Sequence, residues 1–450
     1  MASNNLDLTN AQLVYALDQC FNGVDNLFIQ ARAGCGKSTI IKLIMKNMKN
    51  VVTLSTTGSS ASDLASENIP AYTIHSFFKI KPVPIFDSED ITTNIGKNLS
   101  VLKKAKIIII DEVSMMTNQL FDFVLNKMNY LLGTNKYEFP RLILFGDILQ
   151  LPPVVDAKNV AVADYYNKTY NGNVMFFNSN AYNKLDFKTL TLSKSYRQKD
   201  PIFANAIRRV SIGDIDQNLL NYFNQRVMPE KEFADNFSTY MYLTIANKNV
   251  DQRNKEYIES LPGEVYKFES SYYGKVDKKS IPKTKELKIG GQAMILLNNY
   301  GSTEEYVYSN GMCGKIIDID YDEDDVTKSS ITLDVPKHGI KIIKYHKTKV
   351  MEPVVVNNKV TYDEVGTYVH MPCVACKAIT VHKSQGKTLN ASYIDLGNWV
   401  PESLTYVALS RAESLESIGL SRPLNFGDFK VNQESRDYII SSSNFVEYAN

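Results

Sequence analysis

The stretch ARAGCGKST, residues 31–39, decides the fold of this chain because it reads as a phosphate-binding loop between a strand and a helix. The apolar run Leu27–Ile29 precedes it and a helical pattern of apolar residues follows it. Backbone N–H groups of such a loop surround the phosphates of a nucleotide, while Lys37 reaches the β and γ oxygens and Ser38 reaches Mg²⁺. Glycine is usual where Ala31 stands, and alanine is tolerated there if the position needs only negative φ. The chain is therefore predicted to bind a nucleoside triphosphate with Ala33, Gly34, Cys35, Gly36, Lys37, Ser38 and Thr39.

Composition limits the classes of protein that this chain can belong to. Its 450 residues suggest about three domains, and a hydrophobic content of 44% is ample for several cores. A net charge of +1 excludes a polycationic nucleic-acid binder, but it leaves open a groove that uses local contacts and stacking. Five cysteines are an odd and sparse set, which favours a reduced, intracellular compartment. No signal peptide and no membrane-spanning apolar run are visible, so we predict a protein that is not secreted and not in a membrane.

Buried strands alternate with helices in the first part of the chain. The runs Val51–Leu54, Ile107–Ile110 and Arg141–Phe145 are short, apolar and rich in β-branched residues. Runs of this kind are typical of a parallel sheet that is buried on both faces. We therefore predict a doubly wound α/β domain over residues 1–190, with a polar insertion at about 79–103.

The second part of the chain changes character twice. Helix–strand alternation continues over 191–263, and short alternating strands with polar turns then fill 264–370. Parallel-sheet character returns within 371–450, at Ala378 and at Tyr393–Leu396. This order predicts a second α/β domain that is interrupted by a small β-rich barrel.

Polar side chains end two of the predicted strands. Asp111 and Glu112 follow the four-isoleucine strand, where ligands bind in open α/β sheets. Adjacent strand residues point to opposite sides, so one carboxylate can hold Mg²⁺ while the other orients the attacking water. Gln150 follows the next strand, where a glutamine can either sense the γ-phosphate or position water.

Two arginines and two histidine-containing strings complete the candidate set. Arg197 and Arg411 can stabilise the charge that develops in phosphoryl transfer. The strings TIHSFF (73–78) and TVHKSQG (380–386) carry hydroxyls, an imidazole and, in the second, a lysine. Such groups contact phosphates or stack on bases, and the pattern occurs once in each half of the chain.

Taken in order, these strings resemble the superfamily 1 helicases of the PIF (petite integration frequency) type, in the B branch that includes RecD and Dda. The most specific matches are IIIIDEVSMM (107–116), FGDILQLPPV (145–154), TVHKSQGKTL (380–389) and YVALSRA (406–412). The resemblance runs through nearly the whole chain and is greatest to compact bacterial, phage and viral members. It implies two RecA-like doubly wound motor domains, a wedge insertion in the first and an SH3-like β-barrel insertion in the second.

The same resemblance implies roles for individual residues, with ATP and Mg²⁺ as the cofactors. Lys37, Asp111, Glu112, Gln150, Arg197 and Arg411 would be catalytic, with Ser38 and Asp111 toward Mg²⁺ and Gln150 toward the γ-phosphate. Gln12 would contact adenine, and Gln385 and Gly386 would couple the nucleotide to the DNA loop. The residues near single-stranded DNA would be Ser59, His75, Ser76, Thr380, His382, Lys383 and Ser384.

The function that the resemblance implies is a 5′→3′ DNA helicase, a monomeric motor on single strands and duplex junctions in replication, recombination or repair. Replication or repair proteins are possible partners. Two alternatives stay open at this point: an RNA helicase or nucleic-acid-stimulated ATPase of the same superfamily, and a weakly active scaffold that binds single strands.

Overall fold

The computed structural model describes residues 7–65, 69–81, 88–134, 140–156, 158–237, 239–276, 283–300, 306–336, 338–356 and 359–442. Residues 82–87 of the predicted wedge lie outside these ranges. Residue contacts divide the chain into two compact units. The first comprises Met1–Asn236, Ser384–Ser392 and Leu396–Asn450, and the second comprises Phe237–Lys383 and Tyr393–Asp395. The predicted boundaries of the two motor domains differ from these units and stay a prediction.

The first unit begins with alternating helices and strands. In chain order they are α1 (Ala11–Asn22), β1 (Asn26–Ala31), α2 (Lys37–Asn47), β2 (Val51–Ser55), α3 (Gly58–Leu64), β3 (Tyr72–Thr73), α4 (Ile74–Phe78), α5 (Asn98–Lys104), β4 (Ile107–Asp111), α6 (Asn118–Leu132), β5 (Arg141–Gly146), α7 (Val160–Tyr170), β6 (Phe187–Leu192), α8 (Pro201–Ile212), α9 (Gln217–Asn224) and α10 (Glu230–Asn236).

The rest of the chain is mostly strand. Its elements are β7 (Met241–Thr244), α11 (Asn247–Ser260), β8 (Tyr266–Glu269), β9 (Ser271–Gly274), β10 (Thr284–Leu287), β11 (Gln292–Ile295), β12 (Asn299–Tyr300), β13 (Tyr306–Tyr308), β14 (Cys313–Asp320), β15 (Ser330–Val335), β16 (Gly339–Lys344), β17 (His346–Val356), β18 (Lys359–His370), β19 (Cys373–Ala375), β20 (Ala378–Thr380), β21 (Ser392–Asp395), α12 (Leu404–Leu409), β22 (Ile418–Leu420) and α13 (Gln433–Ser442).

A parallel sheet forms the centre of the first unit. Its strand order is β3-β2-β4-β5-β1-β6, and every pairing within it is parallel. Strand β4 is buried along its whole length, as its run of isoleucines predicts. The predicted strands at 51–54, 107–110 and 141–145 are therefore confirmed.

Parallel pairing brings the carboxyl ends of these strands to one edge of the sheet. Registers such as Ile110 opposite Leu144 and Ile29 opposite Phe145 place the residues after β1, β4 and β5 side by side. Side chains far apart in the sequence can therefore act together at this edge.

Antiparallel strands dominate the second unit. One sheet has the order β16-β15-β14-β11-β19, and a second has the order β17-β18-β9. Buried side chains such as Ile316, Ile331 and Leu333 form the core under the first of these sheets. Strands β7 and β20 pair in parallel, with Thr380 opposite Thr244. The predicted β-rich segment and the return of parallel pairing are confirmed, whereas the SH3-like character of the segment stays a prediction.

Within the part of the chain that the structure describes, no helix is both long enough and apolar enough to cross a membrane.

Candidate nucleotide site

The phosphate loop connects β1 to α2 as the sequence predicts. Gly34 and Gly36 adopt left-handed backbone angles, with φ of +80° and +86°. Ala31 is instead the last residue of β1 and is not in the left-handed region. The position that departs from the usual glycine therefore needs no left-handed backbone, which explains why alanine is accommodated there. Cys35, within the loop, is buried, and burial raises the pKa of its thiol to about 12.

The loop packs against residues 195–197, beyond β6. The Gly34 carbonyl accepts a hydrogen bond from the Tyr196 backbone N–H, at 2.8 Å. A Cβ on Gly34 would lie 2.6 Å from Arg197 Cβ and 2.7 Å from Ser195 Oγ. Glycine is thus required at position 34 by the backbone angle and by this close approach. Lys37 lies at the other end of the loop, and its Nζ donates to the Ala31 carbonyl at 3.1 Å.

Asp111 is buried at the end of β4. Its Oδ2 accepts a hydrogen bond from Ser60 Oγ at 2.6 Å, while its Oδ1 has no hydrogen-bond partner among the described residues. Burial raises the pKa of this carboxyl group, and the neighbouring Glu112 charge raises it further, while Lys37 lowers it. A nearby cation therefore stabilises the ionised form of Asp111. A carboxylate in this environment is suited to bind Mg²⁺.

Glu112 leaves the strand with a left-handed backbone, φ +53°. This conformation is costly for a residue with a side chain and is found at sites where surrounding contacts hold it in place. One such contact is the hydrogen bond from Thr56 Oγ1 to the Glu112 carbonyl, at 3.0 Å. The charge of Glu112 acts on Arg197 and Arg411, whereas Asp111 interacts with Lys37. The two adjacent carboxylates therefore interact with different cationic side chains, and their separate roles stay a prediction.

Asp147 joins several parts of this edge of the sheet. Its Oδ1 accepts from Gln30 Nε2 at 2.8 Å, and its Oδ2 accepts from Gln150 Nε2 at 2.9 Å and from the Tyr406 hydroxyl at 2.7 Å. The same hydroxyl accepts from the backbone N–H of Ala33, at 3.2 Å. The phosphate loop, β1, Gln150 and α12 are thus connected through one fully buried carboxylate.

The two predicted catalytic arginines, Arg197 and Arg411, lie near each other, and both bind protein groups. Arg197 Nη1 donates to the Ser410 carbonyl at 2.7 Å. Arg411 is fully buried and donates to the carbonyls of Val407 at 2.9 Å and Lys387 at 3.2 Å. Burial lowers the pKa of Arg411 to about 9, with a further contribution from the Arg197 charge. To act in catalysis, Arg411 would have to donate to phosphate oxygens in place of these carbonyls. Its catalytic role stays a prediction.

Gln385 and Gly386 reach the same region. Gly386 has a φ of +78°, and a Cβ there would lie 4.0 Å from Glu112 Oε1. The Nε2 of Gln385 is buried and has no hydrogen-bond partner within the described ranges.

Gln12 lies on α1, where its Oε1 accepts from the backbone N–H and the hydroxyl of Ser193, at 3.0 and 2.9 Å. These contacts do not test the predicted contact of Gln12 with adenine, which stays a prediction.

Three buried hydrogen-bond acceptors of the site have no hydrogen-bond partner among the described residues. Oδ1 of Asp111, Oε2 of Glu112 and Oε1 of Gln150 are buried and have no hydrogen-bond partner in the described structure. Buried polar atoms are normally paired, so three unpaired oxygens beside a phosphate loop call for a ligand. A hydrated Mg²⁺ and a water molecule supply the positive charge and the hydrogens that these oxygens lack. The residues present therefore fit ATP with Mg²⁺.

Comparison with known proteins shows which proteins this chain is similar to. The family model described as PIF1-like helicase matches residues 12–219. The ATP-dependent DNA helicase Pif1 of Campylobacter jejuni is 28% identical in an alignment 451 positions long, which covers 94% of each chain. The chain is therefore similar to PIF1-like helicases. The human ATP-dependent DNA helicase PIF1 is 25% identical, and the match covers 91% of this chain and 60% of the human protein.

Solved structures of PIF1-like helicases share the fold. Bacteroides Pif1 bound to single-stranded DNA superposes with a TM-score of 0.80 at 23% identity, over 96% of each chain. Candida albicans Pif1 superposes with a TM-score of 0.75 at 22% identity, over 96% of this chain and 98% of that one. The predicted fold class, two RecA-like domains with parallel sheets, is confirmed.

The residues predicted near DNA fall in both units and differ in exposure. In the first unit, Ser59 lies on α3, and His75 and Ser76 lie on α4. Ser76 Oγ donates to the Thr73 carbonyl at 3.0 Å, and Ser384 is fully buried. In the second unit, His382 and Lys383 are exposed after β20, whereas Thr380 is buried. These DNA contacts stay a prediction, and the exposed pair is best placed to make one.

Sequence reasoning missed two residues of the site, Asp147 and Tyr406. Both lie inside strings that we quoted for the family resemblance, FGDILQLPPV and YVALSRA. The signal available at Asp147 is its position as a polar residue directly after the apolar strand β5. Nothing in the sequence indicates that Tyr406 contacts the loop 373 positions earlier.

Proposed function

We propose that this chain is a PIF1-like helicase that hydrolyses ATP and uses the energy to move 5′→3′ along single-stranded DNA and to separate duplex DNA. The observation that carries the proposal is the set of buried, unpaired oxygens of Asp111, Glu112 and Gln150 beside the phosphate loop. The names of its relatives support DNA as the track.

Each of the site residues has a separate role in the proposed hydrolysis. The loop N–H groups and Lys37 bind the phosphates, and Asp111 with Ser38 would hold Mg²⁺, which neutralises charge on the transferred phosphoryl group. Glu112 would accept a proton from the attacking water, and Arg197 would supply positive charge near Glu112, with which it interacts.

Replacement of Lys37 tests the nucleotide site. In Lys37→Ala we expect DNA-stimulated ATPase activity to fall at least about 100-fold, because the positive charge that Lys37 supplies to the β and γ oxygens is lost. Lys42→Ala is the matched control, since Lys42 is an exposed lysine on the same helix, and it should stay within about twofold of wild type. Wild-type turnover in a folded Lys37→Ala protein would show that the site is wrongly assigned.

Partial duplexes with a 5′ or a 3′ tail, made of DNA and of RNA, test the track and its direction. The proposal expects unwinding of the 5′-tailed DNA substrate. Unwinding only from a 3′ tail would reverse the polarity, and stimulation by RNA alone would support the RNA-dependent alternative. Tight single-strand binding without unwinding would support the scaffold alternative. A monomeric motor, replication or repair partners and an intracellular location are also part of this proposal.

A further inference from the structure

Two thiols are in contact in the second unit. Cys313 is the first residue of β14, and Cys376 directly follows β19. Their Sγ atoms lie 3.4 Å apart, although the two residues are 63 positions apart in the sequence. All five cysteines of the chain carry free thiols. The pair is therefore a reduced dithiol whose two sulfurs are brought together by the fold.

The sheet explains why these thiols meet. Strand β11 lies between β14 and β19, and its Met294 is opposite both Cys313 and Val374. Two residues along the same strand, the Gln292 carbonyl accepts a hydrogen bond from the Cys376 backbone N–H at 2.9 Å. Because side chains alternate between the faces of a strand, residues opposite Met294 and Gln292 project from the same face. The two cysteine side chains therefore share one face of the sheet and reach toward each other over β11.

The two thiols differ in their access to solvent. Cys376 is buried, with 1% of its surface exposed, whereas Cys313 is partly exposed. A small oxidant in solution therefore reaches the Cys313 sulfur first, and the Cys376 sulfur is already in contact with it. Redox-sensitive cysteines have this arrangement, in which an accessible thiol is oxidised and a neighbouring thiol resolves the product.

A bond between the two sulfurs requires a small movement. The sulfurs of a disulfide are about 2.05 Å apart, so the two Sγ atoms must approach each other by about 1.4 Å. Both cysteines lie at strand ends, where fewer ladder hydrogen bonds hold the backbone than in the middle of a sheet. The turn before Cys313 contains Gly311, with a φ of +89°, and Cys376 lies between β19 and β20. The approach can therefore occur without a shift of the central strands.

We propose that Cys313 and Cys376 are a reversible redox-modification site, at which hydrogen peroxide forms a disulfide across β11. The Cys313 sulfur attacks one peroxide oxygen and the O–O bond breaks. The leaving hydroxide takes up the thiol proton, so that a sulfenic acid and one water are formed. The Cys376 sulfur then attacks the Cys313 sulfur, the S–O bond breaks, and the Cys376 proton leaves in a second water. The two thiols thus lose two electrons and two protons, and the peroxide is reduced to two waters.

Peroxide treatment of the folded, full-length chain tests the site. Iodoacetamide then alkylates the remaining thiols after unfolding, and mass spectrometry of a non-reduced digest maps any disulfide. We expect the number of alkylated thiols to fall from five to three, because two of the five are consumed. One linkage should appear, between the peptides that contain Cys313 and Cys376. Dithiothreitol should reverse it by thiol–disulfide exchange and restore five thiols.

Three variants separate the roles of the cysteines. Cys313→Ser should form no disulfide, because the accessible thiol is lost. In Cys376→Ser the sulfenic acid lacks its resolving thiol, so dimedone should label Cys313 more strongly than in wild type. Cys373→Ser is the matched control, since Cys373 is a buried cysteine of β19 that also interacts with Cys313. It should form the same linkage as wild type.

Two results in the wild-type chain would overturn the inference: five free thiols after peroxide treatment, or a linkage of Cys313 to Cys373. Phenylarsine oxide, which bridges neighbouring thiols through one arsenic atom, adds a third. If it bridges Cys313 and Cys376 but peroxide forms no disulfide, the thiols are close yet unable to bond, and the proposal is wrong. These measurements use the wild-type chain and hold even if a variant does not fold. None of them depends on ATPase activity, so their failure would leave the proposed function untouched.

Discussion

Replacement of Gly34 by alanine probes the contact between the phosphate loop and residues 195–197, and Gly36 provides its matched control. The two glycines have nearly equal backbone angles, with φ of +80° and +86°. They differ in their surroundings. A Cβ on Gly34 would lie 2.6 Å from Arg197 Cβ, whereas the nearest atom to a Cβ on Gly36 is Tyr196 Cδ2, at 3.7 Å.

The structure gives a magnitude for each variant. Alanine in the left-handed region costs about 1–2 kcal/mol, and both variants incur this cost. Arg197 Cβ is bonded directly to the backbone, so the crowding at Gly34 can be relieved only by a shift of the chain, which costs about 1–3 kcal/mol more. We expect Gly36→Ala to lower the free energy of unfolding by about 1–2 kcal/mol. Gly34→Ala should lower it by about 2–5 kcal/mol, the sum of both effects.

Thermal unfolding of both variants beside wild type measures the difference. One kcal/mol shifts Tm by about 2–4 °C in a folding unit of 150–250 residues and by less in a larger unit such as this one, so the expected difference of about 1–3 kcal/mol should give a small but measurable separation of the two variants. ATPase activity is not the discriminating measurement, because both glycines belong to the phosphate loop. Equal Tm values, or a lower Tm for Gly36→Ala, would refute the claim that the approach of Arg197 requires glycine at position 34.

Three further outcomes follow from the structure. Ser403 has a φ of +62° and a buried hydroxyl without a partner among the described residues, so Ser403→Gly should raise the free energy of unfolding by about 1 kcal/mol, measured as a higher Tm. Burial and the adjacent Lys285 lower the pKa of His370 to about 3, so on acidification from pH 6.5 toward 3 the unfolded chain takes up a proton that the folded protein does not. Stability should fall over this window, and His370→Gln should reduce that slope in urea unfolding. Cys313 is the one cysteine that is not buried, so a single thiol should be alkylated quickly by iodoacetamide in the native protein and five after unfolding, as counted by mass; fast alkylation of several thiols would contradict the described packing.

Much of the nucleotide site could be predicted from the sequence, because its signals are local. A phosphate loop needs a strand, small residues and a helix in direct succession, and the string at 31–39 has all three in place. Asp111 and Glu112 follow a continuous apolar run, and the rule that ligands bind at the carboxyl ends of parallel strands places them near Lys37. The interaction between Asp111 and Lys37 agrees with this reasoning.

Other features of the site depend on contacts between distant segments, for which a local pattern holds no information. The carbonyls that bind Arg411 belong to Val407 on α12 and to Ser384 and Lys387, so burial of the guanidinium could not be predicted from YVALSRA. The exposure of His382 beside a buried Ser384 likewise depends on how the segment packs after β20.

The sequence by itself determined the phosphate loop, the parallel strands and the carboxylates at their ends, since periodicity and strand order follow from neighbouring residues. Only the tertiary structure decided which way the Gln150 amide points. That orientation depends on Asp147, which also binds Tyr406 from a segment more than 250 residues away. Hydrogen-bond direction is a property of the donors and acceptors that meet in space, and it becomes defined only when the folded chain brings them together.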